Sequence, residues 1–253
     1  MDGRTGDGVS APFSASELMI AVIARLLAGC RHVAVGAQSP VPGSAALLAR
    51  ERSRGAMRVT VLGSMRNNAF TNGGVELFDL AAQGRIDSFF LSGGQIDGAG
   101  NINLVGTGGG YPHQATRWPG SFGSSYLYFL VPRVILFREE HSRRVFVPKV
   151  DFVSAPGSSR PGIYRPGGPH ALVTGLAHFS FDRGRRRFHL ESVHPGHTLE
   201  EVLDQTGFEF DSPASVPETP LPEPAVLELI RGPVRREIAE VYPRFVAGAI
   251  SAG

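Results

Sequence analysis

The sequence predicts an α/β fold built on an open, mostly parallel sheet with flanking helices. Three observations point there. Up to about Gly93, short apolar runs alternate with helical patterns, the texture of βαβ units whose sheet is covered on both faces. From Asn101 onward the texture changes to β-runs with few helices. With 253 residues, 42% of them hydrophobic and 19% charged, the chain has enough apolar material for a sizeable core, as one large or two small domains.

Taken in order, residues 1–12, "MDGRTGDGVSAP", are small and polar and read as a flexible N-terminus. Ser14 to Glu17, "SASE", has capping-box spacing, so an amphipathic helix to about Ala28 is expected. "HVAVG", "SAALLARERS", "RVTVL", "GVELFDLAAQ" and "IDSFFLSG" follow as strand, helix, strand, helix and strand. "INLVG", "YLYFLV", "RVILF", "RVFVPKVDFVS", "ALVTGLAHFSF" and "FHLESV" read as strands, interrupted by the Pro/Gly-rich loop "SAPGSSRPGIYRPGGP". A late helix, "TLEEVLDQTG", is stopped by Gly207. The main domain is thus expected over residues 13–210, followed by a Pro-rich linker and helical tail over 211–253, with helix around Ala225 to Val241.

The net charge of +2 is almost all arginine, since Lys149 is the only lysine, and it is scattered. No basic stripe with interleaved aromatics marks a nucleic-acid surface. The densest basic cluster, Arg183 to Arg187, lies between two β-runs and reads as a solvated hairpin tip, with a phosphate or partner contact as the alternative. Cys30 is alone, which excludes an intramolecular disulfide or a cysteine zinc site; no metal is expected, and a reducing cytoplasm fits. "LMIAVIARLLAG" is preceded by Asp2, Asp7 and Glu17 and interrupted by Arg25, and no run approaches the roughly 18 apolar residues of a membrane span.

Known glycine motifs fail at the turn "SGGQIDGAGNINL", Ser92 to Leu104. "GAGNIN" lacks the third glycine of a dinucleotide fingerprint, and no glycine loop leads into a P-loop lysine. As a calcium loop it lacks the sixth-position glycine and the twelfth-position glutamate. The plain alternative is a tight connection in which Asp97 and Asn101 bond local amides.

Three segments together carry more. "GGQIDGAGNINL" resembles the Q-[VI]-D-x-x-G-N-x-N turn of family I coenzyme A transferases, in particular β subunits of the glutaconate CoA-transferase type. "SVHPGHTLEEVLDQTGFEF", Ser192 to Phe210, is similar to the H-P-G-x-T segment near the end of those subunits, and "RRVFVPKVDFVSAPG" to a stretch between the two. The resemblance runs from about residue 14 to 210 in family order. It implies a CoA-transferase-like fold, an A-chain (α) partner in a heterodimer or heterotetramer, an acyl-CoA thioester as substrate, and no bound cofactor.

In such transferases a glutamate in a turn after a B-chain strand attacks the thioester carbonyl. Here the matching turn after "RVTVL" reads "GSMRNNAFTNGG". No Asp or Glu occurs from Met57 to Gly74, and Ser64 or Met65 stands at the glutamate's place. Glu51 and Glu76 are the nearest substitutes, though Glu76 opens a helix, where an acid is ordinary. No catalytic residue is assigned. The resemblance also extends to β subunits of steroid-ring-cleaving CoA-thioester hydrolases, whose working carboxylate is on the A chain.

Candidate residues follow. Ser64, Arg66, Asn67, Gln95 and Asn101 are expected at the acyl-CoA pocket, Arg66 because a guanidinium fork suits a carboxylate. Gly120, Ser121, Phe122, Gly123 and Ser124 stand where the family carries a glycine loop near the thioester carbonyl, with a flexible turn as the alternative. His113 reads as a loop residue and His194 as one that shapes the turn before Thr198. Three functions remain open: a transferase β subunit moving CoA between carboxylic acids, a hydrolase subunit, and a non-catalytic scaffold. Sugar-phosphate isomerase chemistry is disfavoured, because Lys149 lies in a β-run.

Overall fold

A computed structural model describes residues 13–251, so the expected flexible stretch 1–12 lies outside the described residues. The strands are β1 (His32–Val35), β2 (Arg58–Val61), β3 (Ser88–Leu91), β4 (Gln95–Ile96), β5 (Ile102–Asn103), β6 (Gly106–Thr107), β7 (Thr116–Arg117), β8 (Arg133–Arg138), β9 (Pro169–Thr174), β10 (Ala177–Asp182) and β11 (Arg187–Val193). Seven form one sheet in the order β11-β10-β9-β8-β3-β1-β2. The five strands from β2 to β9 are parallel, and β10 and β11 add an antiparallel edge.

The period-2 pleat divides the apolar residues of each strand between two cores. Val33, Val35, Val59, Val61, Phe90, Ile135 and Val173 enter one; Ala34, Phe89, Leu91, Val134, Leu136 and Leu172 enter the other. With β1 and β3 buried at every position, the continuous apolar runs of the sequence are explained.

The first core is covered by α1 (Ala15–Leu26) and α2 (Pro40–Arg52). The expected capping box forms: Ser14 Oγ accepts from the Glu17 amide at 3.1 Å, and Glu17 Oε2 accepts from the Ser14 amide at 2.8 Å. Pro40 starts α2, where its lost N–H costs nothing. The second core is covered by α3 (Gly73–Ala82) and α4 (Ser124–Leu130).

Two expected strands are absent. "YLYFLV" lies largely in α4, where Leu127 and Tyr128 turn inward while Tyr126 stays exposed, a helical and not a strand spacing of burial. "RVFVPKVDFVS" joins no sheet. Its amides and carbonyls instead clasp the glycine turn: Ile96 N–H donates to Val145 O at 2.8 Å, Val147 N–H to Ile96 O at 3.0 Å, and Ser154 N–H to Ile102 O at 3.0 Å. Pro148, lacking an N–H, interrupts any longer ladder. "INLVG" is reduced to the two-residue strands β5 and β6.

Thr198 caps α5 (Leu199–Gln205), its hydroxyl accepting from the Glu201 amide at 3.1 Å. The segment after it runs beside β11, with Leu190 N–H to Asp211 O at 2.7 Å and Thr219 N–H to Val193 O at 2.8 Å, and so covers the sheet edge. Then α6 (Pro224–Leu229), a π-turn over Ile230–Val234, α7 (Arg235–Ile238) and α8 (Pro243–Ala249) pack against α1 and α2, inserting Ile230, Val234, Ile238 and Val246 into the first core. No described helix is long and apolar enough to cross a membrane.

Candidate active-site cleft

The chain passes from β1 outward to β2, then returns to place β3 on the other side of β1. At such a reversal the loops leave in opposite directions, and a crevice opens beyond the carboxyl ends of the strands. A cleft of about 780 Å³ lies there. Its residues follow directly from the strand ends: Gly36 to Ser39 after β1, Leu62 after β2, Ser92 to Gly94 after β3, and Phe137 with Arg138 at the end of β8. Phe78, Phe89, Phe90, Leu91 and Trp118 make the walls apolar. Arg138 and Arg144 give a basic rim, both pairing with Glu140.

All five residues of the expected glycine loop line this cleft. The Ser124 amide donates to Ser121 O at 2.8 Å. Among the described residues, the amides of Gly120, Ser121, Phe122 and Gly123 have no protein acceptor. Phe122 is 92% exposed and adopts φ 43°, a left-handed conformation costly for a bulky residue. A second such residue, Gln38 at φ 55°, lines the same cleft. Strained backbone of this kind concentrates at functional sites.

Gln95 and Asn101, expected at the pocket, lie outside it. Asp97 Oδ1 accepts the amides of Ala99 and Asn101 at 3.1 Å, and the Asn101 amide group donates to Asp97 Oδ2 at 3.1 Å. Gln95 Oε1 accepts from Asn103 at 2.8 Å and from the Asp151 amide at 2.9 Å. The turn is thus a polar knot whose side chains are satisfied within the turn and by the neighbouring segment at Val150 and Asp151.

Ser64, Arg66 and Asn67 sit just beyond Leu62, not on the cleft wall. Ser64 Oγ accepts the amides of Arg66 and Asn67 at 3.1 and 2.8 Å and donates to Glu240 Oε2 at 2.9 Å. The Met65 amide donates to Glu240 Oε1 at 2.6 Å, which, with the Ser64 hydroxyl, holds that carboxyl below its ordinary pKa. Asn67 donates to Glu237 Oε2 at 3.0 Å and accepts from Arg50 at 2.8 Å, while Arg50 grips both Glu237 oxygens at 2.7 and 2.9 Å. Burial raises the pKa of the Glu237 carboxyl, but the bonds from Arg50 and Asn67 outweigh it and leave it lowered.

A turn without acidic residues of its own therefore receives a carboxylate from the C-terminal segment, 176 residues away. Sequence reasoning missed Glu240, and no local signal could have found it. Glu51 pairs with Arg50 at 3.2 Å, and Glu76 caps α3 by accepting the Thr71 and Asn72 amides. Neither lines the cleft. Gln38 was also missed, although the loop after a first parallel strand is a general place to look.

His194 is buried, its ring bonded to Thr219 Oγ1 at 2.8 Å and Thr174 O at 3.0 Å, with its pKa lowered to about 4 by burial. His113 is exposed on its loop. Neither lines the cleft.

The coenzyme A transferase family profile matches residues 13–205. The chain belongs to the coenzyme A transferase family. Within that family it is 36% identical over 149 residues to the B subunit of glutaconate CoA-transferase from Acidaminococcus fermentans, covering 56% of this chain and 54% of that one. It is 32% identical over 168 residues to the IpdB subunit of the cholesterol ring-cleaving hydrolase of Rhodococcus jostii, covering 62% of each. The chain thus spans between half and two thirds of the length of these curated relatives. The crystal structure of Rhodococcus jostii RHA1 IpdAB superposes with a TM-score of 0.80 at 25% identity, over 96% of this chain and 100% of that one. In this family member the strand order and the cleft at its reversal are the parts that the fold itself dictates.

Proposed function

We propose that the chain is the β subunit of a CoA-transferase-like heteromer, working with an A-type partner on an acyl-CoA thioester and transferring CoA between carboxylic acids. The observation that carries this is the glycine-serine loop, whose amides from Gly120 to Gly123 lack acceptors among the described residues beside an apolar cleft. Charge develops on the thioester oxygen in the transition state, and preorganised N–H donors in an apolar site stabilise it strongly. In this scheme Phe78, Phe89 and Trp118 enclose the acyl chain, and Arg138 and Arg144 attract an anionic group at the mouth. Coenzyme A enters as substrate, not as a resident cofactor.

One observation favours a second reading, hydrolysis with the reacting carboxylate on the partner. No Asp or Glu occurs from Met57 to Gly74, and the carboxylate delivered there by Glu240 is already engaged by Ser64 and Met65. The complex with its A-type partner, fed a panel of acyl-CoA thioesters in ¹⁸O water, separates the two. A new acyl-CoA formed only when a carboxylic acid acceptor is added supports transfer. Free CoA and ¹⁸O-labelled acid without acceptor support hydrolysis, and inertness toward every thioester would refute both.

A further inference from the structure

Residues 237–242 lie beyond the family match, yet their side chains reach the loops at the carboxyl ends of both β1 and β2. The contacts differ in what they hold. Glu237 and Glu240 fix the turn after β2 through Asn67, Ser64 and Met65, which anchors α7 over that turn. The anchoring is close: a Cβ on Gly43, in the first turns of α2, would stand 2.9 Å from Ile238 Cδ1. From this fixed base Tyr242 extends to the β1 loop, where its hydroxyl oxygen accepts the Ser39 amide at 3.2 Å.

Ser39 lines the cleft, and its neighbour is Gln38, held at φ 55°. A non-glycine residue remains in that region only where its surroundings over-determine it. Three bonds hold the residue after it: Ser39 O accepts the Gly43 amide at 2.9 Å where α2 begins, Ser39 Oγ donates to Ala37 O at 3.2 Å within the loop, and the Ser39 amide donates to Tyr242, from outside both. Without the tyrosine hydroxyl the Ser39 amide loses its acceptor, and among the described residues no bond from outside the loop and α2 is left to resist relaxation of Gln38.

We infer that the C-terminal segment is part of the cleft, with Tyr242 a positioning residue that holds Gln38 and Ser39 in the strained conformation of one cleft wall. The inference rests on the reading of the cleft as an acyl-CoA site. Its effect belongs in ligand affinity, because preorganising a wall removes an ordering cost from binding. The tail's apolar residues, by contrast, contribute to stability.

The test compares Tyr242→Phe with Val246→Ala in the complex with the A-type partner. Val246 is buried in the first core and outside the cleft. Tyr242→Phe is expected to raise KM for the acyl-CoA about fivefold to tenfold, the scale of one lost hydrogen bond, with kcat changed less than about twofold. Val246→Ala is expected to lower Tm and leave KM alone. An unchanged KM in Tyr242→Phe, or a rise that Val246→Ala reproduces, overturns the inference.

Hydrogen exchange on the full chain supplies a readout that needs no substrate. Exchange over residues 36–39 should quicken in Tyr242→Phe and not in Val246→Ala; equal protection in wild type and Tyr242→Phe overturns the clamp. If the wild-type complex turns over no thioester, the functional reading falls and exchange alone judges the clamp.

Discussion

The ring of Trp118 occupies the space that a side chain at position 94 would need: a Cβ on Gly94 would lie 2.2 Å from Trp118 Cη2. The glycine is thus the other half of a cleft wall. Gly94→Ala must displace the indole, and overpacking of this kind costs about 1–3 kcal/mol. Trp118 is the only tryptophan, so its emission reports the displacement directly. The expected outcome is a shifted emission maximum with weakened acyl-CoA binding; unchanged emission would place the ring elsewhere.

Phe122 supports a contrasting prediction. It is 92% exposed, at positive φ, and its ring lies beside that of Phe78, 5.7 Å between centroids. Phe122→Gly should relieve backbone strain and hold or raise stability by about 0.5–1 kcal/mol, while KM for acyl-CoA rises. A clear fall in Tm would show that the ring serves stability instead.

Glu17 ties the first helix to the end of the described chain. It is fully buried and accepts from Ser14 N–H at 2.8 Å, from Arg231 at 2.8 and 3.0 Å, and from Ser251 N–H at 3.2 Å. Burial raises its pKa, and the bonds from Arg231 and Ser14 more than reverse this, leaving it lowered. Because Arg231 keeps contact with solvent, Glu17→Ala should cost about 1.5–3 kcal/mol, the scale of hydrogen bonds to a charged group, read as a lower midpoint in urea unfolding.

Acid should destabilise the fold before carboxylates titrate. Burial lowers the pKa of His141, His178 and His194 from 6.5 to about 4. Between those values the unfolded chain takes up protons that the folded chain refuses, so stability falls as pH drops through that window. His178 is the informative one, since its Nε2 is buried without a hydrogen-bond partner. His178→Val should be neutral to stabilising by about 1 kcal/mol at pH 7 and should flatten the dependence of Tm on pH between 6.5 and about 4. An unaltered slope would contradict the assignment.

Local chemistry was legible in the sequence and distant chemistry was not. The Ser14 cap, the late helix from Thr198 stopped before Gly207 and the βα alternation before Gly93 each depend on residues a few positions apart, and each formed. The strands expected at "YLYFLV" and "RVFVPKVDFVS" came from aromatic and β-branched content. Such content marks a half-buried surface more than a backbone state. In α4 that surface is helical, with Tyr128 donating to Gly100 O at 2.8 Å. The glycine-serine loop, which lines the cleft, was located by its resemblance to the family's glycine loop. Gln95 and Asn101 could not be separated from a pocket, because polar side chains that bond their own turn look the same in sequence as those that bind a ligand. Glu240 and Tyr242 act across 176 and 203 positions.

Those long separations impose an order on biosynthesis. Strands β1 to β3 and the loops after β1 and β2 leave the ribosome well before residues 237–242 exist, so a nascent chain folding domain-first carries the cleft with two of its loops still unfastened. A premature stop between α5 and residue 237 would leave every residue of the cleft lining in the chain and lose the fastening. If Tyr242 positions the cleft as inferred, synthesis of residues 237–242 is the step at which the folded sheet gains its fastening.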